Sequence, residues 1–319
     1  MSAFSESILI KEERMIMNDI IVKKIEELKK SKNAIIAAHY YAPPQAQQVA
    51  DFVGDSYYLA KQAKNTDADI VVFCGVGFMG ESVKILNPYK RVFMPDINAD
   101  CAMAHMADVE RIKQLRNEHD DLAVVCYINS TAALKCHSDV CVTSSNAVKI
   151  VKSLPNKNIF FIPDKNLGSF VAAQLPEKNI ILNDGCCPIH DAVTPEQVHL
   201  SKAEHPNALV LTHPECRSEI LEMSDFIGST ADIIRFANEN DSDEFIICTE
   251  DGVGFELHSK NPSKKFYFVS KELCCKDMKL NTLDKILRVL ENEENEIFID
   301  DKTRAKAIAP LDRMLELAE

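Results

Sequence analysis

The chain has 319 residues, 46% of them apolar, which is ample for two or three packed units. Its 36 basic and 49 acidic side chains leave a net charge of −13 with no basic arm or stripe to offset it, which excludes nucleic acid as a partner. Charges interrupt the N-terminal segment MSAFSESILIKEERMIM and no apolar run reaches the roughly 20 residues of a membrane span, so neither export nor membrane insertion is expected.

A cytoplasmic, reducing setting is therefore expected, and eleven cysteines read as thiols for metal binding or catalysis rather than as a disulfide framework. Along the chain, residues 1–19 are an extension with no role expected beyond packing or disorder. A first α/β unit is expected over 20–102. Its β-branched run NAIIAAHYY presents His39, a helix entrance follows at Ser56 in DFVGDSYYLAKQA, and strands ADIVVFCGV and RVFMPD precede Cys101. The second unit, 103–188, repeats that order with Tyr127 in LAVVCYINS, Ser144 in DVCVTSSNAVKIV, strands KNIFFIPDK and NIILND, and the doublet Cys186-Cys187. The third, 189–276, does so with His213 in ALVLTHPE, Thr230 in DFIGSTADIIRFA, strands DEFIICTED and KFYFVS, and the doublet Cys274-Cys275. Residues 277–319 read as a helical segment returning to the first unit.

The spacings make this a repeat. His39, Tyr127 and His213 lie 88 and 86 residues apart, as do Ser56, Ser144 and Thr230, hydroxyl residues of the kind that cap helices. A cysteine follows the third strand of each unit. Strands alternating with helices predict an α/β fold: three α/β/α units with small parallel sheets, related by pseudo-threefold symmetry around a central cavity. Ligands of such sheets bind at the carboxyl ends of strands, where all these landmarks fall.

Three thiolates meeting at one point suit a soft metal, either zinc or an iron-sulfur cluster. Ligands more than 80 residues apart do not match the local loop of structural zinc. A 4Fe-4S cluster with three cysteine ligands leaves one iron open as a Lewis acid. Cys74, Cys126 and Cys248 lie inside apolar strands and read as core; Cys136 and Cys141 read mainly so, and Cys216 as a neighbour of the site. Each doublet leaves the ligand ambiguous by one residue.

Ordered motifs in all three units resemble the quinolinate synthase family. They are His39-Tyr40-Tyr41 with QVADFVGDS (48–56), GVGFMGESVKILNP (75–88), ADCAMAHM (99–106), YINS (127–130) with CVTSSNA (141–147), PDKNLG (163–168), GCCPIH (185–190), THPEC (212–216), GST (228–230), Thr249-Glu250 and CCKDMK (274–279). Departures from the family pattern occur at Gly77, Gly80 and Cys136. The resemblance implies a 4Fe-4S cluster held by Cys101, by Cys187 before the Pro-x-His element, and by Cys275 three before Met278. It implies condensation of iminoaspartate with dihydroxyacetone phosphate to quinolinate, with release of phosphate and water, in NAD biosynthesis, and transient contact with L-aspartate oxidase. It also implies substrate contacts from His39, Tyr41, Ser56, Tyr127, Asn129, Ser144, His190, His213, Glu215 and Thr230. Glu215 is the candidate base, with Tyr41, Tyr127 and His39 as proton donors or shuttles. The rivals are another open-cluster hydro-lyase, which needs no phosphate pocket, and a zinc-stabilised binding protein; the CxxxCxxC loop of a radical enzyme is absent.

Overall fold

Apolar residues fill successive positions of IVVFC (70–74) and LAVVCY (122–127), so both faces of the sheets must be covered. The computed structural model, which describes the backbone of residues 3–318 and the side chains of 17–318, shows how this is done. The first unit comprises α1 (Ala3–Ser31), β1 (Ala34–His39), α2 (Pro44–Val49), β2 (Phe52–Gly54), α3 (Ser56–Asn65), β3 (Ile70–Cys74), α4 (Gly77–Leu86) and β4 (Arg91–Phe93). The second comprises α5 (Val109–Glu118), β5 (Leu122–Tyr127), α6 (Ala132–Lys135), β6 (Val140–Val142), α7 (Ala147–Ser153), β7 (Asn158–Ile162), α8 (Lys165–Gln174) and β8 (Asn179–Leu182). The third comprises α9 (Pro188–Asp191), α10 (Pro195–Glu204), β9 (Leu209–Thr212), α11 (Ser218–Leu221), β10 (Phe226–Ile227), α12 (Thr230–Glu239), β11 (Glu244–Cys248), α13 (Val253–Lys260) and β12 (Lys265–Phe268). Helices α14 (Leu283–Asn292) and α15 (Asp301–Ala318) complete the described chain.

Each unit builds one parallel four-stranded sheet in the same order: β2-β1-β3-β4, β6-β5-β7-β8 and β10-β9-β11-β12. The fold is thus α/β with three repeated small sheets. Each sheet has four strands rather than the expected three, because β2, β6 and β10 are only two or three residues long. So short a strand shows no period in sequence, and the segment reads as a helix entrance instead.

What fixes these short strands is an aspartate at their start. Asp51, Asp139 and Asp225 accept the backbone N–H of Ile36, Val124 and Val210 at 2.8, 2.7 and 2.8 Å. The same aspartates donate their own N–H back to the carbonyls of those residues at 2.8, 2.9 and 2.9 Å. One side chain therefore pins the edge strand to the first strand in every copy.

Residues 1 and 2 of the expected extension lie outside the described residues; the remainder belongs to α1, which runs through it without a break. Ile21 and Ile25 of α1 bury against the first sheet together with Ile286, Val289 and Leu290 of α14, whose apolar stripe has helical spacing. The C-terminal segment is divided: α14 lies with α1 on the first unit, while α15 lies mainly against α6, β6 and α7 of the second. Arg313 of α15 donates to the carbonyl of Asp139 at 3.2 Å. One apolar cluster runs through all three units, from Phe73 through Phe160 to Phe245. No helix among the described residues is long and apolar enough to cross a membrane.

Asp225→Ala leaves the Val210 N–H without its acceptor and should lower stability by about 1 kcal/mol. The urea midpoint should fall at unchanged slope. A midpoint equal to that of the parent chain would show that the aspartate clamp carries no stability.

Candidate active site and metal centre

The first strands of the three units end at His39, Tyr127 and Thr212, so the turns that follow them open toward one another. A cavity lies between these carboxyl edges. It is lined by His39, Tyr41, Ser56 and Cys101 of the first unit, Tyr127, Asn129, Ser144 and Cys187 from the second, and His190, His213, Glu215, Thr230 and Cys275 of the third. The repeat now shows a second ring: Tyr41, Asn129 and Glu215 stand two residues after the strand-end positions, again 88 and 86 apart.

The cysteine loops are pinned by equivalent bonds. The N–H groups of Gly77, Lys165 and Asp251 donate to the carbonyls of Ala99, Gly185 and Leu273, two residues before each cysteine, at 2.9, 2.7 and 2.7 Å. This turns Cys101, Cys187 and Cys275 to the cavity, whereas Cys186 and Cys274 lie outside its lining, each bonded to an aspartate. Burial pushes the Cys101 thiol up to about 12 and the Cys275 thiol up to about 11, and holds Cys187 well above its ordinary value. Cys101 and Cys187 are each raised further by another of these thiols and by Glu215. No Lys or Arg lines the cavity among the described residues. Ionised thiols here need a positive charge that the side chains do not provide, and a soft metal group suits such a donor set. The donor atoms of Cys187, His190 and Glu215 also lie within 4.8 Å of one another, a grouping that could itself hold an ion.

The two strand-end histidines have their tautomer fixed by backbone. His39 Nδ1 accepts from Tyr41 N at 3.1 Å and His213 Nδ1 accepts from Glu215 N at 3.3 Å. Each therefore carries its proton on Nε2, and His213 Nε2 is 3.2 Å from Ser144 Oγ. Burial lowers both imidazoles to about 3, more than the nearby Glu215 carboxylate raises them. Burial opposes ionisation of Glu215, but His190 Nδ1 at 2.7 Å and the Tyr127 hydroxyl outweigh it and hold the carboxyl below its usual range. Burial, reinforced by Glu215, raises both Tyr41 and Tyr127 well above the usual phenol value, so both keep their protons.

Two expectations change. Ser56, Ser144 and Thr230 cap no helix: Asp55 and Ser229 cap α3 and α12 with their side chains, and α7 starts at Asn146 without a side-chain cap. Their hydroxyls are left for the cavity, as with Thr230 Oγ1, 2.7 Å from the Tyr41 hydroxyl. His190 lines the cavity and has both ring nitrogens within reach of protein partners: Nδ1 faces Glu215 and Cys187, and Nε2 lies 2.8 Å from Thr249 Oγ1. The cysteines follow the fourth strands, not the third.

Thr249 was not legible as a site residue. Fully buried at the end of β11, it bonds the Tyr41 hydroxyl at 2.9 Å and so joins Tyr41 to the His190–Glu215 pair. Asn166 Nδ2 donates to the Glu215 carbonyl at 3.0 Å, and Lys279 Nζ donates to the Tyr41 carbonyl at 2.9 Å. Gly252 is required beside it, since a Cβ there would come within 2.7 Å of the Tyr41 Cα. In sequence Thr249 was marked by the Thr249-Glu250 element of the resemblance and by its place in the repeat, where Gly75 and Pro163 carry no hydroxyl, and neither signal gives it a role.

A sequence profile of the family described as quinolinate synthetase A protein matches residues 23–316. A quinolinate synthase of Fusobacterium nucleatum is 52% identical over 295 residues, covering 92% of this chain and 98% of that protein. One of Clostridioides difficile is 48% identical, covering 95% of this chain and 100% of its own. One of Caldicellulosiruptor saccharolyticus is 50% identical, covering 93% and 98%.

Two predictions follow from the geometry. Thr249→Val strips one partner from each of two buried groups and should cost about 1–3 kcal/mol in a denaturation experiment, with Thr249→Ser recovering most of it. Equal stability of the valine variant would show that the joint is slack. Because His39 and His213 resist protonation only when folded, the unfolded chain binds more protons below its histidine value of about 6.5. Stability should fall there by up to about 1.4 kcal/mol per pH unit for each histidine. A His39→Asn/His213→Asn chain should lose less stability than the parent between pH 6.5 and 5; parallel losses would show that neither imidazole is held neutral.

Proposed function

Because the chain belongs to the quinolinate synthetase A family, a family of enzymes, we propose that it condenses iminoaspartate with dihydroxyacetone phosphate to give quinolinate, phosphate and water, in NAD biosynthesis. What carries the reading is one cavity in which three thiols meet a wall of uncharged hydrogen-bond donors. Cys101, Cys187 and Cys275 are the proposed ligands of a 4Fe-4S cluster, which when bound supplies an iron without a cysteine ligand as a Lewis acid.

Both substrates are anions, and the cavity wall has no basic side chain among the described residues. Their charge is met by neutral donors. His39 Nε2–H and His213 Nε2–H, the hydroxyls of Ser56, Ser144 and Thr230, and the N-termini of α3 and α12 are the groups assigned to phosphate and carboxylate. Asn129 Oδ1 has no partner among the described residues, which leaves it as an acceptor for an amine or hydroxyl of the substrate.

The ionised Glu215 carboxylate is the base that takes a proton from carbon during enolisation of the ketose phosphate. The Tyr127 hydroxyl, near Glu215, is the group assigned to return a proton once that carboxylate has accepted one. Tyr41 holds its hydroxyl between Thr230 and Thr249 and serves as a second donor. His39 acts through its Nε2–H, with no change of charge. His190 is assigned to holding Glu215 rather than to substrate. An aspartate-oxidising enzyme is the proposed transient partner, since the imine substrate must be made by oxidation of the amine. A cytoplasmic setting suits the eleven free thiols.

The close grouping of Cys187, His190 and Glu215 favours a second reading, a zinc-stabilised binding protein. Anaerobic purification with analysis of iron, sulfide and zinc decides between them. About four irons and four sulfides per chain are expected, lost in Cys101→Ser, Cys187→Ser and Cys275→Ser. Phosphate should appear when dihydroxyacetone phosphate is mixed with freshly generated iminoaspartate, and Glu215→Gln should slow it by about 10²–10⁴ with iron retained. Zinc that survives Cys101→Ser would instead support the second reading, and turnover without phosphate release would point to a hydro-lyase.

A further inference from the structure

The three cysteine loops are not equally secured, and the difference lies at one position of the repeat. Val76, Asp164 and Glu250 stand 88 and 86 residues apart, each between the end of a strand and the start of the next helix. Asp164 is fully buried and bridges two elements: Oδ1 accepts from Leu167 N of α8 at 2.8 Å, and Oδ2 accepts from Cys187 N at 3.0 Å. Glu250, also buried, does the same one unit later, accepting from Gly252 N at 2.7 Å and from Cys275 N at 2.9 Å. Glu250 Oε1 is additionally paired with Lys279 Nζ at 2.8 Å. Val76 has no acceptor to offer. The Cys101 N–H is taken instead by its own neighbour, Asp100 Oδ1, at 2.8 Å. That carboxylate is 53% exposed, and its other oxygen is bonded to the equally exposed His105. The carboxylate itself bonds only within its own loop, which is held to the rest of the protein by the Gly77 N–H to Ala99 carbonyl bond at 2.9 Å and by the Asp100 N–H, 3.5 Å from Asp277 Oδ1.

We propose that Asp164 and Glu250 are positioning residues that tether the ligand cysteines Cys187 and Cys275 to the helix starts of α8 and α13, and that the Cys101 corner, which has no such buried carboxylate, is where the metal group loads and comes apart. The proposal rests on the three-cysteine reading above. The physical reason is the number of acceptor oxygens. A carboxylate satisfies the helix N–H and the cysteine N–H together, whereas an amide has one oxygen and must leave one of the two facing its NH₂ group. Groups that orient metal ligands in this way commonly contribute about 10-fold to 100-fold in metal retention.

The test follows iron release from the anaerobically purified holoprotein into a ferrous chelator, with iodoacetamide present to trap each thiol as it is freed and peptide mass mapping to identify it. In the parent chain Cys101 should be alkylated ahead of Cys187 and Cys275. Asp164→Asn should release iron about 10-fold to 100-fold faster and bring Cys187 labelling forward, and Glu250→Gln should do so at Cys275. Asp100→Asn, on the surface, should stay within about twofold of the parent. The two tether variants act at separate corners, so misfolding of one leaves the other to decide. Unchanged release in both, or labelling of Cys187 or Cys275 first in the parent, would overturn the proposal. A parent chain that holds no iron would instead overturn the ligand reading on which it stands.

Discussion

A thiolate withdrawn from water is costly unless positive charge stands close by, and three cysteines here face one cavity whose lining contains no lysine or arginine. Carboxylates stand near them, Glu215 for Cys101 and Cys187 and Glu250 for Cys275, and make ionisation harder still. The backbone nevertheless spends a hydrogen bond in each unit on turning these side chains inward. Left alone, the arrangement disfavours the state in which the thiols are useful. It becomes coherent when the missing positive charge is that of a metal group, and the sheets, their carboxyl edges and the threefold order are what bring the three donors to it.

The same restriction shapes the rest of the wall. With Glu215 ionised and the histidines neutral, the cavity offers an anionic substrate no ion pair, only dipoles. Dipoles have the advantage of direction. The backbone N–H two residues beyond each strand-end histidine fixes which ring nitrogen carries hydrogen, so both Nε2–H groups are aimed without a charge that would compete with the metal site. Capping by Asp55 and Ser229 has a similar effect, because it frees the hydroxyls beside them.

The threefold order was legible because spacing survives when residue identity does not: Tyr127 shares little chemistry with His39 and His213, yet the intervals give the repeat. The short strands were not legible, since two or three residues carry no period, and the aspartate that pins them reads in sequence as ordinary turn chemistry. Thr249 was hidden for a different reason. Its role comes from Tyr41, more than 200 residues away, and from His190, so the local Thr249-Glu250 element could mark the position but not what it does. His190 shows the opposite case, a residue whose motif is plain but whose two nitrogens are already occupied by the protein.

A repeat places equivalent positions at equal angles around an axis, but the proposed reaction, between two different anions, needs those positions to differ. The chain differentiates them without moving the backbone. At the strand ends a tyrosine replaces histidine in the middle copy, and two residues later the three copies carry a phenol, an amide and a carboxylate. Tyr127 then stands near Glu215 of the neighbouring unit, whose carboxylate helps keep the phenol protonated. At the helix starts the substitution of Val76 for an acid has the corresponding consequence for the metal corner. Symmetry supplies the convergence, and each departure from it assigns one corner a task the other two do not share.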